Sequence, residues 1–121
     1  MWVAVVSASK NTHAVLRAAG IEDLADAVVD GNIAEQLALP GKPSPATYLE
    51  AARRVQATPA RAAVVEDAVV GVEAGRAGAF GLVIGVDRGA GAAALLGAGA
   101  SAVVQDLADV AVTDAHGTPI A

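Results

Sequence analysis

The sequence contains no cysteine, which excludes disulfides and cysteine-ligated metals. Aromatic residues are almost missing as well, with a single Trp, a single Tyr and a single Phe. There is no basic run, and the net charge is −5. Without a stacking platform or a cationic face, no nucleic-acid partner is expected. No apolar run approaches the roughly 20 residues that a membrane span needs, so no membrane partner is expected either. The opening "MWVAVVSASK" lacks the basic region and cleavage site of a signal peptide, and a cytoplasmic setting is the expectation.

Charge is scarce too. Charged residues make up 17% against 55% hydrophobic, with a mean hydropathy of +0.51, so the chain is not a disordered tail and should bury most of its elements. At 121 residues it has the size of one ordinary domain. A core short of aromatics must be built from Val, Ala, Leu and Ile, which suits closely packed α/β layers.

The apolar pattern predicts strands at Trp2–Val6, Leu24–Asp30, Ala63–Val65, Gly81–Val86 and Ala102–Val104, with a weak last strand inside "QDLADVAV". Helices are predicted from Lys10 to Ala19, with Ser9 as N-cap and Gly20 closing it, and from just after Pro45 to Val55. In the second of these, Tyr48, Ala51, Ala52 and Val55 share one face. A further helix is predicted over Val69–Ala77, ended by Gly78, and a short one inside "DRGAGAAALLGAGA". "GNIAEQLALPGKPSP" reads as a long connection. Strands alternate with helices and are apolar on both faces, so the fold class is α/β: a three-layer parallel sheet with helices on both faces. Residues 1–113 are read as one core and 114–121 as a loose tail.

In such sheets ligands bind at the carboxyl ends of the strands. Ser7, Asp30 and the pair Glu66–Asp67 all fall there. An oxygen-rich cluster of this kind suits Mg²⁺, which takes one or two carboxylates and keeps several waters. Asp67 alone is as readily a helix N-cap, but two adjacent carboxylates exceed what capping needs. Lys10 and Lys42 are the only lysines, and both follow strand ends, in "SASKN" and "GKPSP". A lysine offers a compact charge to a phosphate or carboxylate, although a lone surface lysine is the commoner case. Ser7, the N–H of Ala8 and the helix start at Lys10 could cradle an anion, or form a plain turn into the helix. Gly71, Gly75 and Gly78 are read as packing and capping residues, and His13 and His116 show no partner.

Three stretches, "VVSASKN", "GKPSPATYLEAARR" and "VVEDAVVGVEAGRAGAFGLVIGVDR", resemble the haloacid dehalogenase-like hydrolases, most closely the β-phosphoglucomutase and sugar-phosphate phosphatase branch. The resemblance runs from Val3 to Val110. It implies that Ser7 and the Ala8 N–H hold the transferring phosphoryl group and that Lys42 balances its charge. It also implies that Glu66 and Asp67 hold Mg²⁺, and that Asn11 and Lys10 lie near a substrate phosphate. The substrate would be a small phosphorylated metabolite such as a sugar phosphate.

The sequence departs from that family at one decisive place. The family's reaction starts from an Asp-x-Asp motif on the first, central strand of the core, and no Asp-x-Asp occurs in this chain. The helical cap of relatives is not here either. The strand's place would be between the strands ending at Ser7 and Glu66. This chain by itself is therefore expected to be inactive. Its open strand edges are expected to self-associate or to take up the absent N-terminal segment. A non-catalytic module that keeps the phosphate and Mg²⁺ cradle is the alternative reading. A smaller departure is Ala46, where many relatives carry an Asp that supports the loop.

Overall fold

The structure is a computed structural model and describes residues 1–120. Five short strands alternate with five helices: β1 (Ala4–Val6), α1 (Thr12–Ala18), β2 (Ala27–Val29), α2 (Gly31–Gln36), α3 (Ala46–Arg54), β3 (Ala63–Glu66), α4 (Val69–Ala77), β4 (Leu82–Val86), α5 (Ala92–Gly97) and β5 (Ala102–Val104). Every strand pair is parallel, which the intervening helices make possible.

The strands form two sheets rather than one. β1 pairs with β2, and β3, β4 and β5 pair in that order. Val6 stands opposite Val29, and Glu66 opposite Gly85. Among the described residues no ladder joins β1 to β3. The Ser7 N–H donates to the Val29 carbonyl at 3.0 Å, and the Val3 carbonyl accepts from the Asp26 N–H at 2.7 Å. Alternate residues of β1 thus face β2, and Ala4 and Val6 turn their backbone groups to the open side. β3 likewise has a partner only in β4, and Val65 at its centre is 45% exposed. The gap falls where the family resemblance implies a further strand.

One core joins the two sheets. Val64, Val72, Val83, Phe80, Leu95, Tyr48 and Ala52 form a buried cluster, and Val6 of β1 packs against it. Leu95, Val72 and Val83 are fully buried; each such side chain stabilises by about 1.5–3 kcal/mol. α3 binds the halves together. Its buried face carries Thr47, Tyr48, Ala51 and Ala52, and the helix packs on β1, β2 and α4. The Phe80 ring meets the Tyr48 ring edge-on, with centroids 6.0 Å apart.

Several sequence expectations need correction. The connection after β2 contains α2, because the Asp30 carboxylate accepts from the Ile33 N–H at 2.9 Å and starts a helix there. Asp30 is therefore a cap and not part of an oxygen cluster. α1 begins at Thr12 rather than Lys10, and Ser9 Oγ instead accepts from the Asn11 N–H at 3.0 Å in the turn before it. Leu24 lies in a 3₁₀ turn, Glu22–Leu24, and not in β2. The weak last strand is absent: Asp106 accepts from the Ala108 N–H at 2.9 Å and bends the chain into a 3₁₀ turn over Leu107–Asp109. Beyond it, Thr113 bridges to Pro119, and the Asp114 carboxylate accepts from the His116 and Thr118 N–H groups.

Candidate active site

A cavity of about 230 Å³ opens at the carboxyl end of β1, lined among others by Ser7, Ala8, Gly31, Lys42 and Thr47. Sequence-distant pieces meet here because β1 and β2 end side by side and α3 starts beneath them. Ser7 Oγ accepts from the Ser9 N–H at 3.1 Å, which curls the chain after β1. The Ser9 carbonyl in turn accepts from the Gly31 N–H at 2.9 Å. A Cβ on Gly31 would sit 2.4 Å from the Ala8 carbonyl oxygen, so only glycine lets this turn lie against α2. Thr47 is buried, and its hydroxyl finds no hydrogen-bond partner.

Lys42 closes the cavity from the "GKPSP" loop. In that loop, which has Ala at position 46, the Ser44 N–H donates to the Gly41 carbonyl at 3.1 Å, and Ser44 Oγ accepts from the Ala46 N–H at 3.3 Å. Lys42 Nζ donates to Glu66 Oε2 at 2.8 Å and lies 5.0 Å from the centre of the Tyr48 ring. The Tyr48 hydroxyl also donates to Glu66 Oε2. Glu66 Oε1 accepts from the Asp67 and Ala68 N–H groups, at 3.2 and 3.3 Å, at the start of α4. Both oxygens of this carboxylate are thus engaged.

Burial pushes the Glu66 carboxyl up, but the Lys42 ammonium and the Tyr48 hydroxyl outweigh it and hold the group below the ordinary carboxylate range. Burial, then the bond to Glu66 and the charges of Glu66 and Asp67, push the Tyr48 phenol far above its usual value. Because the Glu66 value is lowered on folding, its stabilisation is complete above the unfolded value of 4.5 and is lost as pH falls through the lower folded one. Urea midpoints measured from pH 7 downward should hold until about pH 5 and then drop. In Glu66→Gln that acid component of the drop should shrink.

Asp67 is exposed and does not cap α4, whose N-cap is Ala68 without a side-chain bond. The capping alternative therefore describes Asp30 and not Asp67. Lys10 stands outside the cavity, its ammonium 2.5 Å from Glu35 of α2. Asn11, at the head of α1, also lies outside it. Among the described residues no group of three or more His, Asp or Glu is placed to hold a metal. Asp67 and Glu66 supply two carboxylates, which is what Mg²⁺ takes when water and substrate oxygens complete its shell. Glu66 is already engaged at both oxygens, so Asp67 is the carboxylate here left to take a hard cation.

Tyr48, Thr47 and Gly31 line or brace the site without having been singled out as functional. Tyr48 carried a usable signal, because a buried phenol needs a hydrogen-bond partner.

Residues 2–78, more than half of the chain, match the family described as haloacid dehalogenase-like hydrolase. The chain belongs to that family.

Within this family it is similar to β-phosphoglucomutases and to a phosphatase. It is 46% identical over 113 residues to a β-phosphoglucomutase of Mycobacterium bovis, covering 91% of this chain and 43% of that protein. It is 35% identical over 113 residues to a trehalose-phosphate phosphatase of Mycobacterium leprae, covering 90% of this chain and 24% of that protein. A haloacid dehalogenase family hydrolase from Deinococcus radiodurans, solved with bound phosphate and sodium, superposes with a TM-score of 0.75 at 34% identity. That match covers 88% of this chain and 48% of the solved one. The chain thus spans less than half of each of these three relatives. The structural likeness makes it a partial Rossmann-like core of parallel strands and helices.

Proposed function

We propose that this chain is the carboxyl-terminal part of a Mg²⁺-dependent phosphoryl-transfer core, a phosphatase or phosphomutase acting on small phosphorylated metabolites such as sugar phosphates. The observation that carries this reading is the shared cavity of Ser7 and Lys42, with Lys42 tied to the carboxylate that precedes Asp67. In this reading the Ser7 hydroxyl and the Ala8 N–H donate to oxygens of the phosphoryl group. The Lys42 ammonium moves from Glu66 onto the same group and offsets its charge. Magnesium held by Asp67, with Glu66 beside it, would supply further charge neutralisation at the phosphoryl oxygens. Asn11 and Lys10, at the rim, would meet a second anionic group of the substrate once Lys10 leaves Glu35.

The attacking carboxylate is not in this chain, which has no Asp-x-Asp, so the chain alone is expected to bind and not to turn over. The open edges of β1 and β3 are where the strand that carries it would pair; a second copy of the chain would compete for the same edges. A cytoplasmic setting accompanies this reading. Among the described residues no helix is long and apolar enough to cross a membrane.

Calorimetric titration with inorganic phosphate and Mg²⁺ tests the cradle. Saturable binding is expected, weakened about tenfold or more in Ser7→Ala, since a hydrogen bond to a charged group is worth about 1.5–3 kcal/mol. An unmodified chain that takes up no phosphate would count against the reading.

A further inference from the structure

We propose that Tyr48 is a positioning residue of this site: its hydroxyl and its ring face hold the two members of the Lys42–Glu66 pair at once. The hydroxyl donates to Glu66 Oε2, and the ring carries the Lys42 ammonium 5.0 Å from its centre. The ring itself is fixed. It is 8% exposed and braced edge-on by Phe80. The carboxylate is fixed as well, since its other oxygen accepts from two N–H groups at the start of α4. A Cβ on Gly71 would overlap the Glu66 carboxyl at 2.0 Å, so α4 is shaped to receive this side chain.

The consequence concerns what happens when Lys42 turns to an anion in the cavity. A buried carboxylate abandoned by its only cation is costly. Here Glu66 keeps the phenol hydroxyl and two backbone donors, so Lys42 can be shared with a phosphate without stranding the charge. Phenylalanine would preserve the ring face and the Phe80 contact and lose that insurance. Lys42, Tyr48 and the adjacent Asp67 are the charged or titratable groups that bear on Glu66. The functional half of this inference rests on the phosphoryl-transfer reading; the geometric half does not.

The test uses Tyr48→Phe in the whole chain, with two readouts. The Glu66 carboxyl is titrated by carbon NMR with neither metal nor anion present, and inorganic phosphate is titrated by calorimetry. The Glu66 titration should move up toward the ordinary carboxylate range, and phosphate binding should weaken about tenfold, the size of one charge-assisted hydrogen bond. A residue that serves only packing would lower the melting temperature and move neither. An unchanged Glu66 titration overturns the proposal. If the titration shifts while even the unmodified chain binds no phosphate, the phosphoryl-transfer reading fails and the contact to Glu66 stands. A second variant guards against misfolding of the first. The chain has one tyrosine, so the ring-mode Raman doublet of tyrosine reports Tyr48 alone. At pH 7 Glu66→Gln should shift it toward that of a more weakly donating phenol, and no change there would equally refute the contact.

Discussion

Replacing Lys42 with methionine is expected to abolish saturable phosphate binding and to lower the unfolding free energy by about 2 kcal/mol at pH 7. Methionine keeps most of the apolar stem and removes only the charge. The Lys42 side chain is 26% exposed and its partner Glu66 10%, so the pair is largely withdrawn from water. Removing one member of a buried pair costs about 3–5 kcal/mol when the other is left uncompensated. Glu66 is not left bare, because Tyr48 and two N–H groups remain, and the expected loss is correspondingly smaller. The difference from the unmodified chain should fade in acid, as Glu66 becomes protonated and the pair no longer exists in either protein. Urea unfolding at pH 7 and near pH 3 would reveal both halves of this expectation. A loss that persists unchanged in acid would point to packing and not to charge.

Gly71→Ala should reverse the usual sign of its class. A glycine in a helix interior is normally improved by alanine, by about 1 kcal/mol. At Gly71 the new Cβ would fall 2.0–2.1 Å from Cδ, Cγ and Oε2 of Glu66. The glutamate side chain can escape only by rotating away, and it then forfeits Lys42, Tyr48 and the two N–H donors together. A net loss of about 1–2 kcal/mol is expected after the helix gain is subtracted, with weaker phosphate binding as a second sign. Chemical denaturation of the variant decides it; a stabilised Gly71→Ala would show that Glu66 does not need its observed position.

Much of the fold was legible because its elements are built from plain patterns. "LVIGV" is β-branched and apolar enough to lie in the middle of a sheet, and it is the best-buried strand. α4 runs over the predicted Val69–Ala77, since apolar positions recur at helical spacing up to the chain reversal after it. α2 was not legible. It has six residues, starts with a glycine and depends on one carboxylate cap, so it lacks the length for a periodic signal. The turn at Leu107–Asp109 was misread as a strand because its apolar residues outweighed the cap Asp106.

For the site, the residue types and the family resemblance singled out Ser7, Lys42, Glu66 and Asp67 as candidates, although Lys42 follows α2 and not a strand end. What composition could not reveal was how they are wired. That Glu66 is saturated by Tyr48, 18 residues away in sequence, depends on how α3 packs on β1, β2 and α4, and only the packed fold shows it. Likewise, Asp30 and Asp67 both precede helices in the sequence, and only the backbone hydrogen bonds separate the cap from the free acid.

In the proposed phosphoryl-transfer centre the attacking carboxylate arrives on a strand between β1 and β3. The most direct measurement is hydrolysis of p-nitrophenyl phosphate with Mg²⁺, by the chain alone and after mixing with a segment that carries a strand ending in Asp-x-Asp. The expected result is no turnover by the chain alone and turnover on mixing that disappears when the first Asp of the segment is changed to Asn. Turnover by the unmixed chain, or a mixture that neither pairs nor turns over, would contradict it.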